Sequence, residues 1–174
     1  AIAVAHVEAG LRSRDMTMPE EINRMCTDVL ADYLFTTDTM ANENLQAEGV
    51  SEDRIFFVGN VMIDTLMRHR QMAAQLSLLD DLGLSSGRYA VLTLHRPVNV
   101  DDRVVLGRIF GALSEIAMDL PIVFPIHPRT RKMALKFGLD RRYIEGGSVE
   151  GLWVTEPLGY LQFLRLVMDA KMVL

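Results

Sequence analysis

Short apolar runs alternate along this chain with longer stretches in which apolar residues recur every three or four positions. That is the pattern of strands alternating with helices. The run Ala1-Ile2-Ala3-Val4-Ala5 carries no charge on either face and predicts a buried strand of a parallel sheet, ending at His6-Val7-Glu8. From Glu20 towards Leu34, the residues Ile22, Met25, Val29 and Leu30 return at helical spacing and predict one apolar helix face. Thr17, three residues before Glu20, fits a capping box, and Pro19 suits a first turn. Tyr33–Thr37 reads as a strand, so the helix must end just before it. Asp38 or Thr39 then caps a helix through Leu45 that Gly49 closes, Ile55–Val58 is a third strand, and Val61–Leu76 is again helical.

The stretch Leu79–Gly87 has turn composition and little periodicity, and predicts a linker. A second unit starts at the apolar run Tyr89–Leu94, which ends in His95-Arg96. Asp101 or Asp102 caps a helix through Met118, Pro121–Ile126 is a strand ending in His127-Pro128-Arg129, and Arg131–Phe137 is a helix closed by Gly138. Trp153–Thr155 is a strand, Tyr160–Ala170 a helix, and Lys171–Leu174 a strand just beginning. The fold class is α/β, with parallel sheets wrapped by helices. The expected division is residues 1–78, a linker at 79–87, and residues 88–174.

At 174 residues the chain suffices for one ordinary domain or two small pieces. A net charge of −5 argues against a broad basic face for nucleic acid, so an anionic ligand must be met by local Arg, His or backbone N–H groups. The single cysteine, Cys26, cannot form an internal disulfide and fits a reducing compartment. No run reaches the length of a membrane span, and there is no signal-peptide pattern. Metal-ligand spacings and a glycine-rich phosphate loop are both missing from the sequence. The chain opens inside one predicted strand and closes on another, which predicts a piece of a longer protein.

Polar groups sit at four predicted strand ends: His6 and Glu8, His95 and Arg96, His127 and Arg129, and Glu156. Ligands of open α/β sheets bind outside the carboxyl ends of the strands, so these groups predict a cleft for an anionic nucleotide, with carboxylates and histidine suited to proton transfer. Several of the candidates also have a purely structural reading, whereas His95-Arg96 interrupts a strongly apolar strand and is harder to dismiss. Glu8 could pair with Arg12 or Arg24, Glu20 and Glu21 suit the dipole of a helical first turn, and His127 between Pro125 and Pro128 suits a rigid turn. The methionines Met62, Met67 and Met72 and the lone Cys26 read as packing.

The segments His6-Val7-Glu8-Ala9-Gly10-Leu11-Arg12 and Pro19-Glu20-Glu21-Ile22-Asn23-Arg24 resemble the paired signature of the non-hydrolysing UDP-N-acetylglucosamine 2-epimerases. Val58-Gly59-Asn60-Val61-Met62-Ile63-Asp64, Thr93-Leu94-His95-Arg96, Pro125-Ile126-His127-Pro128 and Glu156-Pro157-Leu158-Gly159-Tyr160 follow in the family's order. Singly these are weak; in order, over nearly the whole chain, they are specific. The resemblance covers about half of the family's length. The family's opening Gly-Thr-Arg-Pro-Glu segment, its catalytic aspartate and its Ser-Gly-Gly nucleotide loop have no counterpart here, which implies an inactive fragment.

The resemblance implies two Rossmann-like domains of the GT-B arrangement, with 1–78 the later part of the first and 88–174 the first part of the second. It implies interconversion of UDP-GlcNAc and UDP-ManNAc by elimination and return of UDP, without a cofactor, in a cytoplasmic homodimer. It carries Glu8, Glu20 and His95 over as catalytic, and His6, Glu21, Arg96 and His127 as substrate-binding. One departure is Val98, where many members carry an acid before the Asn that follows His-Arg; that bears on nucleotide contacts or regulation more than on the chemistry. A hydrolysing relative that releases free N-acetylmannosamine, and a non-catalytic nucleotide-sugar-binding protein, are the alternatives.

Overall fold

The computed structural model describes residues 2–139, the backbone of 147–149, and 151–174. The chain forms two compact units, Ala1–Arg68 and His69–Leu174. The first contains β1 (Ala5–Ala9), α1 (Pro19–Leu30), β2 (Tyr33–Thr36), α2 (Thr39–Ala47), a 3-10 turn at Glu52–Arg54, β3 (Ile55–Phe57) and the start of α3 (Val61–Ala74). Its strands pair in parallel in the order β1-β2-β3. Of the two candidates Asp38 and Thr39, Asp38 caps α2, accepting from the Ala41 N–H at 2.8 Å. Its core is small: Ala9, Ala31, Leu34 and Leu45, with Val50 and Ile55 packed against them.

Three expectations for this unit change. The opening strand lies at Ala5–Ala9 rather than Ala1–Ala5, because pairing with β2 begins at Ala5↔Tyr33 and carries His6 and Val7 into the ladder. Ala1 lies outside the described residues. Val4, just before β1, and Val7 within it are exposed, and of the five strand residues only Ala9 is buried. The capping box does not form either: Met18 holds the N-cap position, Pro19 opens the helix, and the Thr17 hydroxyl donates to Asp15 at 2.6 Å. Most consequentially, α1 buries Glu21 and Asp28 while Ile22, Val29 and Leu30 stay exposed. Glu21 and Asp28 are seven residues apart, two turns, and so share one face.

The second unit contains α4 (Leu78–Asp81), β4 (Ala90–Val91), α5 (Pro97–Val100), α6 (Arg103–Asp119), β5 (Ile122–Pro125), α7 (Pro128–Lys136), β6 (Gly147–Val149), β7 (Leu152–Thr155), α8 (Tyr160–Asp169) and β8 (Met172–Val173). The sheet order is β6-β7-β5-β4-β8, parallel except for the β6–β7 pair. Alternation explains its burial. Ala90, Leu92, Ile122 and Phe124 face one apolar cluster, with Leu106 and Phe110 of α6, while Tyr89, Val91 and Val123 face another, with Leu166 of α8. Burial pushes the Tyr89 hydroxyl up to about 12, and that hydroxyl donates to the Leu166 carbonyl at 2.7 Å.

The stretch expected as a linker belongs to this unit. Leu79 is buried, Leu82 and Leu84 pack against the Tyr89 cluster, and the Gly87 N–H donates to the Asp169 carbonyl at 2.8 Å. The division of the chain falls inside α3 instead. Asp102 caps α6, accepting from the N–H groups of Val104 and Val105. No helix among the described residues is long and apolar enough to cross a membrane.

Candidate functional site

β1 does not run straight into its loop. The register passes from Val7↔Phe35 to Ala9↔Thr36, so Glu8 is an extra residue in a bulge, and its φ is +67°. A bulge leaves one residue unpaired and re-aims its side chain, and a non-glycine residue in the left-handed region is strained. Glu8 is half-buried and lines a hollow of about 380 Å³ with His6, Glu20, Asn23, Arg24 and Thr27. Glu8 comes from the strand and Glu20 from the first turn of α1, so the two expected acid–base residues share one surface. The nearby arginines are committed elsewhere: Arg12 to Asp28 and Glu48, Arg24 to Glu21. Among the described residues neither Glu8 nor Glu20 forms an ion pair, so both carboxylates are left for a ligand.

A buried polar network stands behind this hollow. Asp28, 1% exposed, accepts from His6 Nδ1 at 2.6 Å and from the Gly10 N–H at 3.2 Å, and forms an ion pair with Arg12 Nη1 at 2.7 Å. Arg12 in turn gives Glu48 a bidentate pair at 2.8 and 2.6 Å and donates to the Leu11 carbonyl. These partners, Glu48 foremost, raise the guanidinium pKa further. Gly10 closes the turn with φ +77°, and its carbonyl accepts from Asn44 Nδ2 at 3.0 Å.

Glu21 does not line the hollow with Glu20. Its carboxylate is buried and accepts from the N–H groups of Ser13 (3.1 Å) and Arg14 (2.8 Å), and Arg14 is a second non-glycine residue at positive φ. Glu21 braces the loop between β1 and α1 rather than reaching out as the expected substrate contact. The Ser13 N–H, then Arg14 and Arg24, hold its pKa below the usual carboxylate range. A depressed carboxylate stabilises the fold while it is ionised. That contribution is present above the unfolded carboxylate range and is lost as the pH falls through the folded value. Thermal melts from neutral pH to below about pH 4 are therefore expected to show falling stability, and Glu21→Gln to flatten that part of the profile.

In the second unit, Thr130 of α7 donates to the Leu94 carbonyl, tying that helix to the residue before His95. The rings of His95 and His127 lie 5.6 Å apart. His127 is the N-cap of α7, its Nδ1 accepting from the Arg129 N–H at 3.2 Å, so the neutral ring carries its proton on Nε2. His127 thus does more than make a rigid turn. Arg129 pairs with Asp101, which sets it apart from His127 as a ligand group. His95 and Arg96 are exposed, Arg96 at the N-cap of the short α5. A hollow of about 600 Å³ beside α7 is lined by Arg131, Lys132 and Lys136, with Glu156 paired to Arg131 at 2.6 Å. Among the described residues no group of three or more His, Cys, Asp or Glu could hold a metal ion.

Sequence reasoning missed Asp28, Glu48 and Arg131. Asp28 left a signal: an acid two turns after Glu21, interrupting a helix read as amphipathic.

Residues 1–174 match the family described as UDP-N-acetylglucosamine 2-epimerase. The chain is 40% identical over 178 residues to the UDP-N-acetylglucosamine 2-epimerase of Methanocaldococcus jannaschii, covering 99% of this chain and 48% of that protein. It is 39% identical over 177 residues to the UDP-2,3-diacetamido-2,3-dideoxy-D-glucuronate 2-epimerase of Pseudomonas aeruginosa, covering 99% of this chain and 46% of that one. The M. jannaschii enzyme in complex with UDP-GlcNAc and UDP superimposes with a TM-score of 0.83, again over 99% of this chain and 48% of that structure. The chain spans about half the length of the curated relatives it matches.

Proposed function

This chain belongs to the UDP-N-acetylglucosamine 2-epimerase family, and from that premise we propose that the whole protein interconverts UDP-GlcNAc and UDP-ManNAc by eliminating UDP and adding it back. The C2 proton of an N-acetylhexosamine has no neighbouring carbonyl to acidify it, so direct exchange is slow. Elimination avoids that. A carboxylate takes the C2 proton, the C1–O bond breaks with its electron pair passing to the diphosphate, and a C1=C2 double bond forms in 2-acetamidoglucal. Return of UDP to C1, with a proton delivered to the opposite face of C2, completes the inversion.

The chemistry needs a base and an acid near C2 and cationic or N–H groups for the departing phosphate. Glu8 and Glu20 take the first two roles. The observation that carries the reading is that these two carboxylates line one hollow and, among the described residues, form no ion pair. His95 protonates or orients the leaving diphosphate, with Arg96 and His127 as anion contacts. His6 binds the sugar, and Glu21 holds the loop.

The active protein is a cytoplasmic homodimer in this reading. Its first and second Rossmann-like domains each contribute a part of this chain, and the 174-residue chain alone is without turnover. The near-equal identity to the P. aeruginosa enzyme supports a second substrate, a UDP-2,3-diacetamido-glucuronate, for the same chemistry. Chromatography of the products from each substrate tests these readings. UDP-ManNAc from UDP-GlcNAc is expected. Free ManNAc with UDP would mark a hydrolysing enzyme, and turnover of the glucuronate alone would reassign the substrate.

A further inference from the structure

We infer that Asp28 is a positioning residue that fixes the tautomer of His6, so that His6 offers an acceptor, Nε2, to a sugar hydroxyl in the hollow of Glu8 and Glu20. The inference rests on the proposed reading of that hollow as the sugar site. Asp28 touches no ligand-facing surface; it is 1% exposed and acts through the ring.

The argument comes from how its two oxygens are divided. Oδ1 faces His6 Nδ1 at 2.6 Å, while Oδ2 takes both the Gly10 N–H at 3.2 Å and Arg12 Nη1 at 2.7 Å. An ionised carboxylate only accepts, so His6 Nδ1 is the donor. In the neutral ring the proton is then on Nδ1, and Nε2 is left with a lone pair. His6 lines the hollow, its side chain 19% exposed, and with Nδ1 turned to Asp28 it is Nε2 that is left to meet a ligand. The charged groups sharing that hollow are Glu8, Glu20 and Arg24.

The division of oxygens also makes Asp28→Asn informative. The Gly10 N–H and the Arg12 guanidinium converge on the Oδ2 position, and Arg12 is held there because its Nε and Nη2 donate to Glu48 and its Nη1 donates to the Leu11 carbonyl. The amide oxygen of Asn must take that position, which turns its NH2 towards His6 Nδ1. The ring must then accept at Nδ1 and carry its proton on Nε2. The hollow would gain a donor where it had an acceptor, with the backbone unmoved. A histidine held by a buried aspartate loses function in this way when the aspartate becomes asparagine in the serine-protease triad.

The test is 15N spectroscopy of the histidine side chains in the 15N-histidine-labelled whole protein, with His6 assigned by its loss in His6→Gln. The neutral form is read from a pH titration. In the wild type, Nδ1 is expected as the protonated nitrogen and Nε2 as the unprotonated one, with Nε2 shifting on addition of UDP-GlcNAc. In Asp28→Asn the assignment is expected to reverse, and kcat for UDP-GlcNAc to fall about 10- to 100-fold, the size usual for a partner standing behind a metal-ligating histidine. A wild-type ring protonated on Nε2 would overturn the inference even if the variant failed to fold. So would a reversed tautomer with full turnover, or turnover with no shift of Nε2. A wild type without turnover on UDP-GlcNAc would instead count against the proposed function, and the ligand-free tautomer would still decide the role of Asp28.

Discussion

Glu8→Gln is expected to lower UDP-GlcNAc turnover by about 10²- to 10⁴-fold, the range for losing a positioned acid or base. Glutamine keeps the shape and the hydrogen-bonding capacity but neither takes nor delivers the C2 proton. The bulge sharpens the test. Glu8 sits at φ +67°, a conformation glycine adopts freely and other residues adopt at a cost. Glu8→Gly is therefore expected to melt at or above the wild-type temperature while losing turnover to a similar degree. Strain kept at a position where relief costs activity is the pattern of a functional residue. Turnover of Glu8→Gln within tenfold of wild type would remove Glu8 from the chemistry.

Gly10→Ala is expected to destabilise the first unit by about 3 kcal/mol or more, combining left-handed strain with a core clash. Gly10 has φ +77°, and an added Cβ would stand 2.4 Å from the Ala41 carbonyl oxygen and 3.0 Å from Leu45 Cδ1. Ala41 and Leu45 are the buried residues of α2, so the clash displaces the helix that supplies Asn44 to the Gly10 carbonyl. Gly49 is the control: its φ is +86°, but a Cβ there meets nothing within 4 Å. Gly49→Ala should lose only the conformational part, about 1 kcal/mol. Denaturant unfolding of the two variants separates the effects. Equal losses would mean that the approach of α2 to Gly10 contributes little.

The order of strands and helices was legible because the strong signals were local. The buried run Tyr89–Leu94 marks a strand, of which Ala90–Val91 is in the ladder, and Asp38 and Asp102, each one of two candidates, cap their helices. What was not legible depended on pairing between distant segments. The start of β1 is set by its register with β2, so an apolar run misplaced it, and the bulge at Glu8 follows from that same register. The polar face of α1 was hidden because Ile22, Val29 and Leu30 read as a core stripe, although the helix turns Glu21 and Asp28 inward. For the same reason Glu20 and Glu21, neighbours in sequence, separate into a residue facing the hollow and a loop brace. Turn residues mask the spacing of the leucines in 79–87, which pack with Tyr89 in one cluster.

The most direct measurement of the central claim is NMR of C2 while the whole protein turns over UDP-GlcNAc in deuterated water. Elimination and return through solvent-exchanging carboxylates predicts UDP-ManNAc carrying deuterium at C2. UDP-ManNAc that retained the original C2 proton would contradict the claim, as would neither product nor exchange.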